Sequence, residues 1–190
     1  NRSEDILLEI VKRNARYTPP PGFRFNLFIS SLGKSPLELA VLNNCFDNVR
    51  TLLNHFPELI EVKNSEGATI IHASIFQASL DIFRLLLERA PLPLIRTANK
   101  QGNTALHLAA SRLRTERITM LMETGAFTGL ERNIFGQTAY ALFCLRVPLC
   151  YTLRNRQLFG IHNLDEMDEF LKLEPTDSSS YSCSIFRLIN

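Results

Sequence analysis

The chain has 190 residues, 45% of them hydrophobic and 21% charged, with 21 Lys and Arg against 19 Asp and Glu. That is enough apolar material for one soluble core and too much for a disordered chain, and no apolar run approaches the ~20 residues that span a bilayer. A net charge of +2 says little about partners, and the opening Asn1-Arg2-Ser3-Glu4-Asp5 is not the charged-then-apolar start of a secretory leader, so an intracellular, cytoplasmic or nuclear setting is expected.

Ile6, Leu7, Ile10 and Val11 follow at helical spacing, which predicts an amphipathic helix over 4–14 with acidic residues near its positive end. Thr18-Pro19-Pro20-Pro21-Gly22 breaks it, and Phe23, Phe25, Leu27, Phe28 and Ile29 then read as a cap over the adjoining core.

From here the chain repeats. Gly33, Gly67, Gly102 and Gly136 lie 34, 35 and 34 residues apart, each followed two positions later by a hydroxyl and an apolar run. A fixed period in this range marks units that cannot bury their apolar faces alone and must stack on neighbours. The glycine permits a positive φ in a tight turn. Ser35, Thr69, Thr104 and Thr138 suit a helix N-cap, and Pro36 suits the first helical position. Leu37, Leu39 and Ala40, like Leu106, Ala109 and Ala110, fall on one side of a short helix. Second helices are expected at a constant offset, with seams of Val49, Leu52 and Leu53, then Ile82, Leu85 and Leu86, then Ile118, Leu121 and Met122. In the fourth unit that offset lands on Thr152, Asn155 and Arg156, and only a shifted register through Leu149 and Leu153 is apolar.

The third unit, with Gly102-Asn103-Thr104-Ala105-Leu106-His107-Leu108-Ala109-Ala110 and the closing Leu121-Met122-Glu123-Thr124-Gly125-Ala126, resembles an ankyrin repeat. The second keeps Thr69, Ile71 and His72, the first has Ser35-Pro36-Leu37-Glu38-Leu39-Ala40, and the fourth is the most degenerate. The resemblance implies an all-α fold of stacked helix-turn-helix units with short hairpin loops. It divides the chain into an N-terminal helix and cap over 1–30, repeats over 31–63, 64–98, 99–132 and 133–156, a capping helix over 157–174 and a Ser-rich spacer with an apolar tail over 175–190. Within that C-terminal part, Asn163 opens the helix and Leu164, Met167, Phe170 and Leu171 recur three or four apart.

Catalytic chemistry finds no foothold. Gly33-Lys34-Ser35 resembles the end of a phosphate-binding loop, but the glycine that motif requires falls on Phe28. His72 and His107 occupy equivalent places in successive units, as a structural hydrogen-bonding role demands, whereas a catalytic set needs distinct positioned roles. Cys45, Cys144, Cys150 and Cys183 lack paired local spacing, so buried thiols are expected in place of zinc or disulfides. No cofactor, metal or small-molecule substrate is expected, and the sequence shows no continuous basic face for nucleic acid.

Recognition of another protein or peptide is what remains. The resemblance places the partner on hairpin tips and first-helix ends: Leu32, Lys34 and Leu42 in the first unit, Glu66, Phe76 and Gln77 in the second. Lys100, Gln101, Asn103 and Arg112 serve in the third, and Ile134 and Phe135, with Leu145 and Arg146, in the fourth. Phe76, Ile134 and Phe135 are apolar where a solvated surface should be polar, which marks anchors or internally covered positions. Arg84, Arg89, Arg96, Lys100, Arg112, Arg114 and Arg117 form a basic band, against an acidic run from Asp165 to Asp177. The band reads as a solvated surface, as steering for an acidic partner, or as a surface to which the acidic run returns. An adaptor role in signalling or transcriptional regulation is expected. One alternative is an inhibitor-of-κB-like regulator of Rel-type transcription factors, on the repeats and acidic tail. A second is a ubiquitin-ligase substrate adaptor, on a loose resemblance of Leu149-Cys150 to a SOCS box.

Overall fold

The computed structural model describes residues 35–147 and 154–162. The expected helix over 4–14, the Phe23–Ile29 cap, the Gly33 turn, the Leu149 and Leu153 register, the capping helix from Asn163 and the tail lie outside the described residues. The chain divides into two compact units, Asn1–Arg89 and Ala90–Asn190. Among the described residues there is no β-strand, only an isolated bridge between Arg132 and Thr138. None of these helices is long and apolar enough to cross a membrane.

The first unit contains two helical hairpins. Helix α1 (Pro36–Leu42) starts where the Ser35 hydroxyl accepts the Glu38 N–H at 3.1 Å and Pro36 follows, so an orphan donor is satisfied and the first helical N–H is absent. It buries Leu37, Ala40 and Val41 against α2 (Phe46–His55) and α3 (Ile70–Gln77). Helix α2 contributes Val49, Leu52 and Leu53, as its apolar spacing predicts. A 3₁₀ turn, Pro57–Glu61, seals this core with Leu59 and Ile60. Helix α4 (Leu80–Arg89) buries Ile82, Phe83 and Leu86. Each such side chain contributes roughly 1.5–3 kcal/mol, so the seams outweigh any single cap. The hairpins are also pinned through polar groups: the Ser79 N–H donates to Asn44 Oδ1 at 2.6 Å, and Arg89 Nη2 to Asn54 Oδ1 at 3.1 Å.

The second unit contains α5 (Leu92–Ile95), α6 (Ala105–Ser111), α7 (Thr115–Glu123) and α8 (Ala139–Cys144). Helix α6 packs on both α7 and α8, and its alanines Ala105, Ala109 and Ala110 are fully buried, which permits that close approach. A 3₁₀ turn at Arg156–Phe159 places Phe159 with its ring centroid 5.3 Å from Tyr140 and 5.4 Å from Phe143, covering the apolar face of α8. Thr138 is fully buried and accepts the Ala141 N–H at 3.1 Å. Thr138→Ala is therefore expected to cost about 1 kcal/mol in urea unfolding of the full chain.

Three expectations need correction. Leu85 and Met122 are only half-buried, because α4 turns Phe83 inward and α7 relies on Ile118 and Leu121. Cys45 is exposed, being the residue that leads into α2, and Cys144 is half-buried. The basic band is not uniformly solvated, since Arg117 is 8% exposed on the inner side of α7 and Arg96 Nε donates to the Ala126 carbonyl. The loops at Pro57–Glu61 and Leu92–Ile95 carry helical turns of their own.

Candidate partner-binding face

Three hairpins share one construction. Asn64 Oδ1 accepts the N–H groups of Glu66 and Ala68, Asn99 Oδ1 those of Gln101 and Asn103, and Asn133 Oδ1 those of Phe135 and Gln137. Each asparagine thereby fastens both arms of its tip, as an Asx turn does. Gly67, Gly102 and Gly136 close the tips at φ of 71°, 71° and 69°. The asparagines stand three residues before each glycine, a second periodic signal in the sequence whose role emerges only with the tip geometry.

In the second unit the tips are tied to each other. The Ile134 N–H donates to the Gln101 carbonyl at 3.2 Å and Asn133 Nδ2 to Asn103 Oδ1 at 3.0 Å. Lys100, Gln101, Asn103, Ile134 and Phe135 are thus brought together on a fixed edge. Ile134 is 60% exposed and Phe135 56%. Arg112 is exposed at the C-cap of α6, at the far end of that seven-residue helix from the tips. The helix rises about 10 Å, so Arg112 and the tips mark two ends of one face. In the first unit, Leu42 ends α1 half-buried, Phe76 (38% exposed) and Gln77 end α3, and Glu66 is exposed at the tip. Leu32 and Lys34 lie outside the described residues.

The histidines have structural partners. The Thr69 N–H donates to His72 Nδ1 at 3.2 Å and the Thr104 N–H to His107 Nδ1 at 3.3 Å, each within a reciprocal capping box. Because Nδ1 of His107 accepts a backbone N–H, its proton sits on Nε2, which donates to the Gln137 carbonyl at 3.0 Å. Burial lowers the His107 pKa below its ordinary value, with the Gln137 carbonyl and the Glu131 charge opposing. A neutral imidazole held on both sides is a fastener between α6 and the next hairpin.

Residues 58–133 match the family model of ankyrin repeats, in three copies. The chain is 30% identical over 108 residues to leucine-rich repeat serine/threonine-protein kinase 1 of Caenorhabditis elegans, an alignment covering 57% of this chain and 4% of that protein. It is 24% identical over 115 residues to the ANK repeat-containing protein nipk-1 of the same organism, covering 56% of this chain and 19% of that one. The chain therefore spans only a small part of either relative. Ankyrin repeats are a protein-interaction module, generally without catalytic activity of their own, and the likeness to the kinase is a partial repeat match.

Proposed function

We propose that this chain is a non-catalytic adaptor that binds a partner protein or peptide on its hairpin tips and first-helix ends, in intracellular signalling or transcriptional regulation. Ile134 and Phe135 carry the reading: two large apolar side chains stand exposed side by side on a tip whose backbone is tied down by Asn133 and Gln101. An anchor of this kind loses little entropy on binding, and aromatic anchors dominate many interfaces. Lys100, Gln101 and Asn103 flank it in the second unit, with Arg112 at the other end of the face; Leu42, Glu66, Phe76 and Gln77 are the corresponding residues of the first. Lys100 and Arg112 favour a partner of acidic character, and the kinase named among the relatives supports a signalling setting.

The test is affinity capture with the full chain, followed by titration of the recovered partner. Ile134→Ala combined with Phe135→Ala is expected to weaken binding at least tenfold, about 1.4 kcal/mol, with helical content unchanged. Equal affinity for native and variant chains would place the binding face elsewhere. A Rel homology domain and the elongins are the first partners to try, since each identifies a narrower version of the same role.

A further inference from the structure

The second helices of the first unit, α2 and α4, leave an open groove between them. The bond from the Ser79 N–H to Asn44 Oδ1 sets the two helix starts side by side. Phe46, Asp81, Arg84, Leu85 and Glu88 line the groove, which has a volume of about 290 Å³. Phe46 is 39% exposed at the first position of α2, and Leu85 is half-buried because α4 turns Phe83 inward in its place. The groove thus has an apolar lining that the core of the unit does not use. None of Leu42, Glu66, Phe76 and Gln77 belongs to it, so it is separate from the proposed partner face.

Its charges are uncommitted. Asp81, Arg84 and Glu88 are exposed, and among the described residues no ion pair or side-chain hydrogen bond engages them. Arg84 and Glu88 stand one turn apart on one stripe of α4, about 6 Å along its axis. A base four residues before an acid is the weaker order for pairing within a helix, which leaves both groups to meet charges from outside. A partner of a single sign would satisfy one of them and repel the other. The fitting surface carries the same two charges in reverse order.

A second copy of α4, run antiparallel, supplies that order. We propose that two copies of this chain associate through the groove, with Arg84 of each opposite Glu88 of the other. The two-fold axis then lies level with Leu86, so the two Leu85 side chains come close beside the ion pairs and Phe46 covers them from α2. Such an interface is isologous and closes after two copies. Exposed ion pairs contribute little by themselves, so burial of Phe46 and Leu85 supplies the affinity and the charges fix the register. The patch is small, which sets a reversible dimer with Kd on the order of 100 μM. A dimer would carry two partner faces and bind a two-site partner more tightly than one copy does, but the association does not depend on that reading.

Sedimentation equilibrium of the full chain tests this, over concentrations from about 5 to 500 μM. The native chain is expected to show a monomer–dimer equilibrium within that range. Arg84→Glu alone and Glu88→Arg alone each set like charges opposite one another and should weaken the dimer about tenfold or more. The double variant Arg84→Glu/Glu88→Arg should dimerise as the native chain does, and an equimolar mixture of the two single variants should recover a heterodimer. Roles confined to one chain cannot produce that last result. Circular dichroism reports whether each variant keeps its helices. If a reversal does not, Phe46→Gln, exposed at the start of α2, should weaken the dimer about tenfold with the charges intact. A native chain that stays monomeric throughout, a dimer indifferent to the single reversals or to Phe46→Gln, or single defects rescued neither by the double variant nor by mixing, would overturn the proposal.

Discussion

Replacing His107 with alanine is expected to lower the unfolding free energy by about 3 kcal/mol and to flatten the acid limb of stability. The ring is 1% exposed, so its removal leaves a cavity. The Gln137 carbonyl loses its donor and the Thr104 N–H its acceptor, and each buried group left unpaired adds about 1 kcal/mol or more. The pH dependence derives from the lowered pKa. Above the ordinary value of 6.5 the imidazole is neutral in both folded and unfolded chains and contributes no slope. Below it the unfolded chain takes up the proton first, because in the folded state Nδ1 faces a donor and the ring is desolvated. Stability therefore falls with pH from about 6.5 toward the folded pKa, by at most about 1.4 kcal/mol per pH unit for this one group. Urea unfolding of native chain and His107→Ala at pH 7.5 and 5.5 checks both parts. An equal drop between the two pH values in native and variant chains would remove His107 as the source of the slope.

How much of this fold is legible in the sequence depends on how local the governing interaction is. Ser35, Thr69, Thr104 and Thr138 were legible as caps because a capping bond closes within three residues, and all four lie where the structure needs them. The α2 seam of Val49, Leu52 and Leu53 was legible for the same reason. Leu85 and Phe83 were not, because their relative burial is set by which way α4 rolls on its neighbours, and i, i+3, i+4 spacing fits more than one roll. The buried Arg117 is another packing outcome that residue type alone argues against. Ile134 and Phe135 were legible as apolar residues at a tip, but their exposure and the rigidity of their backbone come from Asn133 and from Gln101, a residue of another hairpin.

That dependence makes Gly102 a sensitive backbone position of the second unit. A Cβ there would stand 2.7 Å from the Ile134 nitrogen and 3.0 Å from Asn133 Cα, and the residue sits at φ 71°. Gly125 provides the comparison, since it has φ 67° with nothing within 4 Å of the same added atom. Gly125→Ala should cost only the left-handed strain, about 1 kcal/mol. Gly102→Ala bears that strain plus the collision with a backbone that has no rotamer to yield, and about 2–4 kcal/mol is expected. The collision falls on the hydrogen bond that fixes Ile134 against Gln101, so Gly102→Ala should also weaken partner binding although it removes no contact side chain. Unfolding and titration of the two alanine variants decide the matter: equal stability losses, or a partner affinity untouched by Gly102→Ala, would mean that the tips are not held by their neighbours as the geometry indicates.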